Sequence, residues 1–392
     1  ELKGVGGWFT DNPFGVGVWG MHLMQLILET YAMPVCIING GSGSSSIEEN
    51  MALPYQADLN TSFGRLIYRV HEAGLTNGIK ADLWHQGETN SRETYRAYRQ
   101  KFDTLYTAWK ANFPLLNKVY MFQLHPGCGG DYQSELRDLQ ETISENYDDV
   151  EIMSTCGLPG HDGCHYTHEG YLAMAESIFP LMARDFYGGQ YDDPITPPKV
   201  TRAYISDTDN HELTLEFDQA VSWDEQIEIR GNDYFLKDHI YLNNDTTAGG
   251  ILSGKASGNK IILKLAEKDN YRVISYLPGH YYNGTDHCYQ GPWIKGENGI
   301  GALSFHKFRI EALGTVYAYF PANLQLFPRN DNNRAAVRVE GQIFTAGFDK
   351  AICRIYRNEE LHETIEYNLV YNNGKASFSF TPEIVAELAE HD

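Results

Sequence analysis

Apolar residues change their spacing along this chain, and the change divides it. Up to about residue 190, short apolar runs alternate with helical periodicities: Val35–Asn39, Ile79–Trp84, Lys118–Leu124 and Val150–Thr155 read as strands. The clearest helix spans Arg92–Asn112, where Tyr95, Tyr98, Phe102, Leu105, Tyr106 and Trp109 recur at three and four residues and form one apolar stripe. Asp131–Glu145 and Glu169–Phe186 read the same way. Strands alternating with long helical crossovers predict a parallel sheet with helices on both faces. The expected fold class over residues 1–190 is therefore α/β, a three-layer αβα sandwich. Four of its strands are visible, and a first one is expected before Glu1.

Tyr191–Pro198, with two adjacent prolines and no periodicity, reads as a linker. Beyond it the period becomes two. Leu213–Phe217, Gln226–Arg230, Ile240–Asn243, Lys260–Leu265 and Tyr271–Leu277 are β-like runs between Gly/Asn/Asp clusters. That spacing predicts a nearly helix-free β-sandwich over residues 199–312. A second β-rich unit, 315–392, starts near Leu313–Thr315. Its strands are Ala335–Val339, Ala351–Arg357 and Ala376–Phe380, with Asn372-Asn373-Gly374 as a hairpin turn.

Charge narrows the partners. The 52 acidic against 31 basic residues give a formal charge of −21. Nucleic-acid binding normally rests on Lys/Arg clusters, so such a partner is not expected. No apolar run approaches the roughly 18–20 residues of a membrane span. The six cysteines form no CxxC pair and leave one or two bridges open. The 26 tyrosines suit sugar-binding surfaces and sandwich cores equally well. Three N-x-S/T sequons, at Asn60, Asn244 and Asn283, carry little weight by themselves.

Three loops carry candidate chemistry. In Gly160–Tyr171, GHDGCHYTHEGY, Asp162 and His165 stand three apart just before a helix that Thr167 could cap. A carboxylate at that spacing can reach the imidazole Nδ1–H and leave Nε2 for a nucleophile. The same residues also read as ordinary helix-start polar groups. A metal site using His161, Asp162, Cys164, His165 and His168 is a rival, but no partner cluster occurs elsewhere. The small-residue loop Asn39–Glu48 follows the first visible strand, where open α/β sheets place ligands, and its bare N–H groups could approach an oxyanion. It also reads as a plain βα turn, or with Ser42 as a nucleophile off the usual elbow pattern. Trp84–Asn90, WHQGETN, follows the next strand; an amide there suits an oxyanion donor, or a helix cap.

Together these residues resemble the SGNH/GDSL hydrolases, specifically the sialate O-acetylesterase-like carbohydrate esterases. The W-x-Q-G-E-S/T-N and D-G-x-H-x-T/S-x-E-G-Y patterns are matched at every fixed position by Trp84–Asn90 and Asp162–Tyr171. The resemblance implies His165 as base, Asp162 as its orienting acid, and Gly43 with Gln86 as oxyanion hole. It also implies substrate-binding roles for Trp84, Glu88 and Asn90. It covers about residues 1–190. One departure matters: the G-Q-S-N motif that carries the nucleophilic serine occurs nowhere in these 392 residues. That serine is expected before Glu1, or in a tandem or permuted arrangement, and the chain alone is expected to be nearly inactive.

The function expected is hydrolysis of acetyl esters on a glycan, of sialic acid or xylan type, with no metal and no cofactor. The alternative is a non-catalytic glycan-binding protein on an esterase scaffold. The substrate class implies a secreted or periplasmic location. Neither the particular sugar nor the oligomeric state follows from these residues.

Overall fold

The computed structural model describes residues 15–51, 58–207, 209, 211–229, 231–243, 248–269, 271–279 and 289–311, and the backbone of strands between 338 and 379. Leu313–Thr315, the turn residues Asn373 and Gly374, and the sequons at Asn244 and Asn283 lie outside the described residues.

Residues up to 187 form the elements α1 (Val18–Tyr31), α2 (Ser62–Glu72), β1 (Ala81–Trp84), α3 (Tyr98–Asn112), β2 (Lys118–Phe122), α4 (Gln133–Glu145), β3 (Val150–Met153) and α5 (His168–Tyr187). The sheet runs β1-β2-β3 and is parallel, with Trp84 level with Met121 and Met121 with Ile152. A parallel strand buried on both faces should be mainly apolar, and β2 is buried and largely apolar from Val119 to Phe122. Its Val119 and Met121 meet α2, α3 and α4, while Tyr120 and Phe122 meet α1 and α5. Those two helical layers enclose the sheet, as the strand–helix alternation predicts. The stripe on α3 buries Tyr98, Phe102, Leu105 and Trp109. Neither α1 nor α2 was legible in the sequence. On α1 the exposed Met21 and Leu28 blur the stripe that Leu23 and Ile27 make.

The fourth expected strand departs from expectation. Val35–Asn39 makes no ladder among the described residues, although its side chains alternate as a strand's do. Val35 and Ile37 join the α1/α5 layer and Ile38 joins the other. Alternation needs only two apolar layers, whereas a ladder needs a neighbouring backbone. On its outer side β1 has no strand partner among the described residues.

Beyond Tyr187 come β4 (Val200–Ile205), β5 (Glu212–Phe217), β6 (Val221–Trp223), β7 (Gln226–Ile229), β8 (Asn232–Phe235), β9 (Ile240–Leu242), β10 (Ile251–Ser257), β11 (Lys260–Leu265), β12 (Val273–Tyr276), β13 (Ile294–Gly296) and β14 (Phe305–Glu311). Seven of them form one sheet in the order β10-β11-β5-β4-β14-β12-β9, and β13-β6 and β7-β8 are small pairs. On β11, Ile261, Leu263 and Leu265 alternate into the core, the period-two pattern made physical.

The chain up to Ile310 is one compact unit. The segment 191–198 is held in place within it: Pro197 and Pro198 are buried, and Leu303 N–H donates to Pro198 O at 2.9 Å. Buried Gln123, one residue past β2, donates to Ser304 O at 3.0 Å and accepts from Ser304 N–H at 2.8 Å. Arg137 on α4, 1% exposed, donates to Ser304 Oγ and to Pro278 O. Backbone carbonyls and hydroxyls thus solvate a buried guanidinium whose pKa burial lowers to about 10. The second unit, Glu311–Asp392, holds a three-stranded antiparallel sheet and a two-stranded pair, Lys350–Arg357 with Glu360–Asn368. In the former, Asn372 pairs with Lys375 across the expected hairpin.

Candidate active site

Parallel strands direct their carboxyl ends to one edge, so the loops that follow them gather there. The segment Asn39–Glu48 and the loop after β1 are tied directly. Thr89 Oγ1 donates to Ser44 O at 3.1 Å and Gln86 Nε2 to Ser45 O at 3.0 Å. Asn90 is the hub: its Oδ1 accepts Ile47 N–H and Gln86 Nε2–H, each at 2.8 Å, and its Nδ2 donates to Glu48 at 2.9 Å. Burial raises the Glu48 pKa, but hydrogen bonds from Lys101 and Asn90 outweigh it and hold the carboxyl at about 2. Between these anchors Gly43 is exposed, at a turn that Ser44 completes with φ 60°. Space around Gly43 is open: an added Cβ would meet nothing within 4 Å.

The loop after β2 docks on the same edge. Gly130 N–H donates to Ser91 Oγ at 2.7 Å and Tyr132 N–H to Ser91 O at 3.0 Å. A disulfide joins Cys128 of this loop to Cys164, between Asp162 and His165. That pairing was left open by the sequence, because only the fold brings two strand ends together across 36 residues.

The loop Gly160–Thr167 is a tight turn closed by Asp162 N–H to His165 O at 2.9 Å and Thr167 N–H to Gly160 O at 2.6 Å. Thr167 caps α5, as expected. Asp162 Oδ1 accepts the backbone N–H groups of Cys164 at 3.0 Å and His165 at 2.8 Å. Its distance to His165 Nδ1 is 3.8 Å, longer than the hydrogen bond expected from the spacing. The reason is local: a short polar side chain entering a turn bonds the turn's own amides first. Both side chains are about half exposed, at 45% for His165 and 44% for Asp162. Burial lowers the His165 pKa; the charges of Asp162 and Glu88 oppose this and His85 adds to it.

Other named residues fall differently. Trp84 is a core residue, 9% exposed, donating to Tyr98 OH at 3.1 Å and lying edge-on to Trp109 at 5.2 Å. Asn90, 1% exposed, is a loop anchor. Both hydrogens of the Gln86 amide are taken by Ser45 and Asn90, and its Oε1 is buried without a hydrogen-bond partner among the described residues. Glu88 lies 3.7 Å from His85 Nε2. Ser42 O accepts Ser45 Oγ–H at 2.7 Å. Of the rival metal set, Cys164 is consumed by its disulfide and His161 is buried in an aromatic stack.

Sequence reasoning passed over His85, His125 and Trp293. His85 sits inside the quoted WHQGETN run, and its ring meets Phe122 edge-on at 6.0 Å and Tyr166 at 6.3 Å. His125 stacks on His161 at 4.1 Å and meets Trp293 edge-on at 5.7 Å. No local signal marks His125 or Trp293, because strands far apart in the chain assemble them.

A parallel sheet with a glycine loop, a His–Asp turn and an acidic loop near its carboxyl edge makes this an α/β domain with candidate acid–base chemistry at one edge. Residues 10–184 match the family described as "Carbohydrate esterase, sialic acid-specific acetylesterase". This α/β part of the chain is similar to the sialate O-acetylesterase-like carbohydrate esterases. No curated protein matches the chain in sequence. Among solved structures, a carbohydrate acetylesterase from Xanthomonas citri is 17% identical, with a TM-score of 0.55 over 73% of this chain. The chain spans 64% of that protein's length, and the likeness is one of fold. A protein from Arabidopsis thaliana is 23% identical over 45% of this chain and 72% of its own, with a TM-score of 0.38.

Proposed function

We propose that this chain carries the acid–base half of a carbohydrate O-acetylesterase. The reading is supported by the Asp162–His165 turn after β3 and by the glycine loop tied to the loop after β1, both following parallel strands within the stretch that matches the esterase family. In the proposed reaction His165 Nε2 takes the proton of a serine hydroxyl as it attacks the acetyl carbon, then returns it to the leaving sugar oxygen. Asp162 stabilises the imidazolium, and the open Gly43 N–H faces the developing oxyanion. The G-Q-S-N pattern that would carry this serine does not occur in these 392 residues. Glu88 and His85 stand at the rim, as substrate contacts. The Cys128–Cys164 disulfide supports a secreted or periplasmic location, since such bonds persist in oxidising compartments.

One observation favours the non-catalytic alternative: Asp162 Oδ1 is committed to backbone amides and stands 3.8 Å from the imidazole. Hydrolysis of an aryl acetate and an acetylated oligosaccharide, by this chain with and without its neighbouring coding sequence, separates the two. Turnover is expected only with the neighbouring segment, and His165→Ala should lower it by about 10³-fold or more. Turnover indifferent to His165→Ala, or none in either form, sinks the esterase reading.

A further inference from the structure

Behind the His–Asp turn lies a cavity of about 570 Å³. Residues 157–161 and His125 line one side, and residues 224–227 with Gln290, Trp293 and Lys295 line the other. The volume falls in the range of small-molecule sites, roughly 300–1,000 Å³. It shares a wall with the candidate active site: His161 faces it, and the next residue is Asp162. That wall is stiff. His161 stacks on His125 at 4.1 Å, His125 meets Trp293 at 5.7 Å, and Trp293 meets Tyr289 at 4.8 Å.

Its lining is mixed. Leu158, Pro159, Ile227 and Trp293 offer apolar surface, and the side chains of Gln226 and Gln290 add amides. Asp224 is paired with Lys295 at 2.8 Å, and Glu225 accepts Trp223 Nε1–H at 3.0 Å. Apolar patches interleaved with carboxylates and amides match a pyranose, whose C–H faces are apolar and whose hydroxyls both donate and accept. Two carboxylates against one ammonium leave the lining negative, on a chain of charge −21. An anionic sugar would meet like charge there, at separations short of the Debye length of about 8 Å.

We propose that this cavity is a subsite for neutral pyranose units of the glycan, so that the preferred substrate is an uncharged acetylated polysaccharide rather than an acetylated sialic acid. The assignment rests on the esterase reading for its role in catalysis, but not for the binding itself. Unesterified probes therefore test it. The full chain is titrated with xylotetraose, cellotetraose and N-acetylneuraminic acid, followed by calorimetry and tryptophan fluorescence. At least one neutral tetrasaccharide should bind saturably, and N-acetylneuraminic acid about tenfold more weakly or less. Gln226→Trp, an exposed β7 position at the mouth, should weaken the neutral sugar about tenfold with the melting temperature unchanged. Tighter binding of N-acetylneuraminic acid, no binding of either tetrasaccharide, or binding indifferent to Gln226→Trp overturns the proposal. Failure of His165-dependent hydrolysis with sugar binding intact sinks only the esterase reading, and the reverse pattern sinks only the subsite.

Discussion

Asp162 holds His165 by its backbone before its ring: Oδ1 accepts the His165 N–H at 2.8 Å and stands 3.8 Å from Nδ1 of the same residue. Shape and charge can be separated at this carboxylate. Asp162→Asn keeps an acceptor for the turn amides and removes the charge that would stabilise an imidazolium. Its stability should stay within about 0.5 kcal/mol of the parent while ester turnover falls about 10²- to 10⁴-fold. Asp162→Ala should lose both, and denaturant unfolding beside kcat/KM measures the split.

The disulfide Cys128–Cys164 closes a loop of 36 residues and fixes the turn that bears His165. Replacing both cysteines by serine should cost about 4 kcal/mol by the loop-closure relation. Turnover by the folded variant should fall roughly tenfold as the turn loses its tether. Urea titration and a reductant series on the parent check both effects.

Asn90 serves Ile47, Gln86 and Glu48 at once, so its loss strands buried polar groups from two loops. Asn90→Ala should destabilise by about 2–4 kcal/mol, more than an exposed asparagine would. The measurement is the urea midpoint, with Asn77→Ala, an exposed turn position, as the control.

Burial lowers the His161 pKa to about 4 from 6.5, so the folded protein keeps this ring neutral. Between those values the unfolded chain binds a proton that the native state refuses, and stability therefore falls as pH drops through that window. The full effect of this group is about 3 kcal/mol below pH 4. Glu141 contributes the opposite sign: burial raises it to about 7, so its contribution is lost as pH rises toward that value. Stability from pH 7 to 4, compared between the parent and His161→Gln, isolates the first term because the other groups cancel. Equal pH slopes for the two proteins would refute the assignment.

Much of the architecture follows from periodicity, which is a local property. The stripe from Tyr95 to Trp109 and the alternation at Ile261, Leu263 and Leu265 need only the geometry of helix and strand to be read. The WHQGETN and GHDGCHY runs were legible for the same reason: a turn, a cap and a spacing of three are written in consecutive residues. Asp162 to His165 is the limit of that legibility. Sequence spacing sets which groups lie near each other, whereas competition with the backbone amides of Cys164 and His165 decides which atom the carboxylate faces. The engagement of the Gln86 amide by Ser45, the placement of Trp84 in the core, the Cys128–Cys164 bond and the cavity beside His161 each join residues from about ten to more than a hundred positions apart. Such contacts arise from how layers pack, because a buried donor takes whatever acceptor the neighbouring layer presents. The chain's own order thus determined the helices, strands and turns whose periodicity is clean, while the tertiary structure decided α1, α2, the ladder that Val35–Asn39 lacks among the described residues, and which side chains meet.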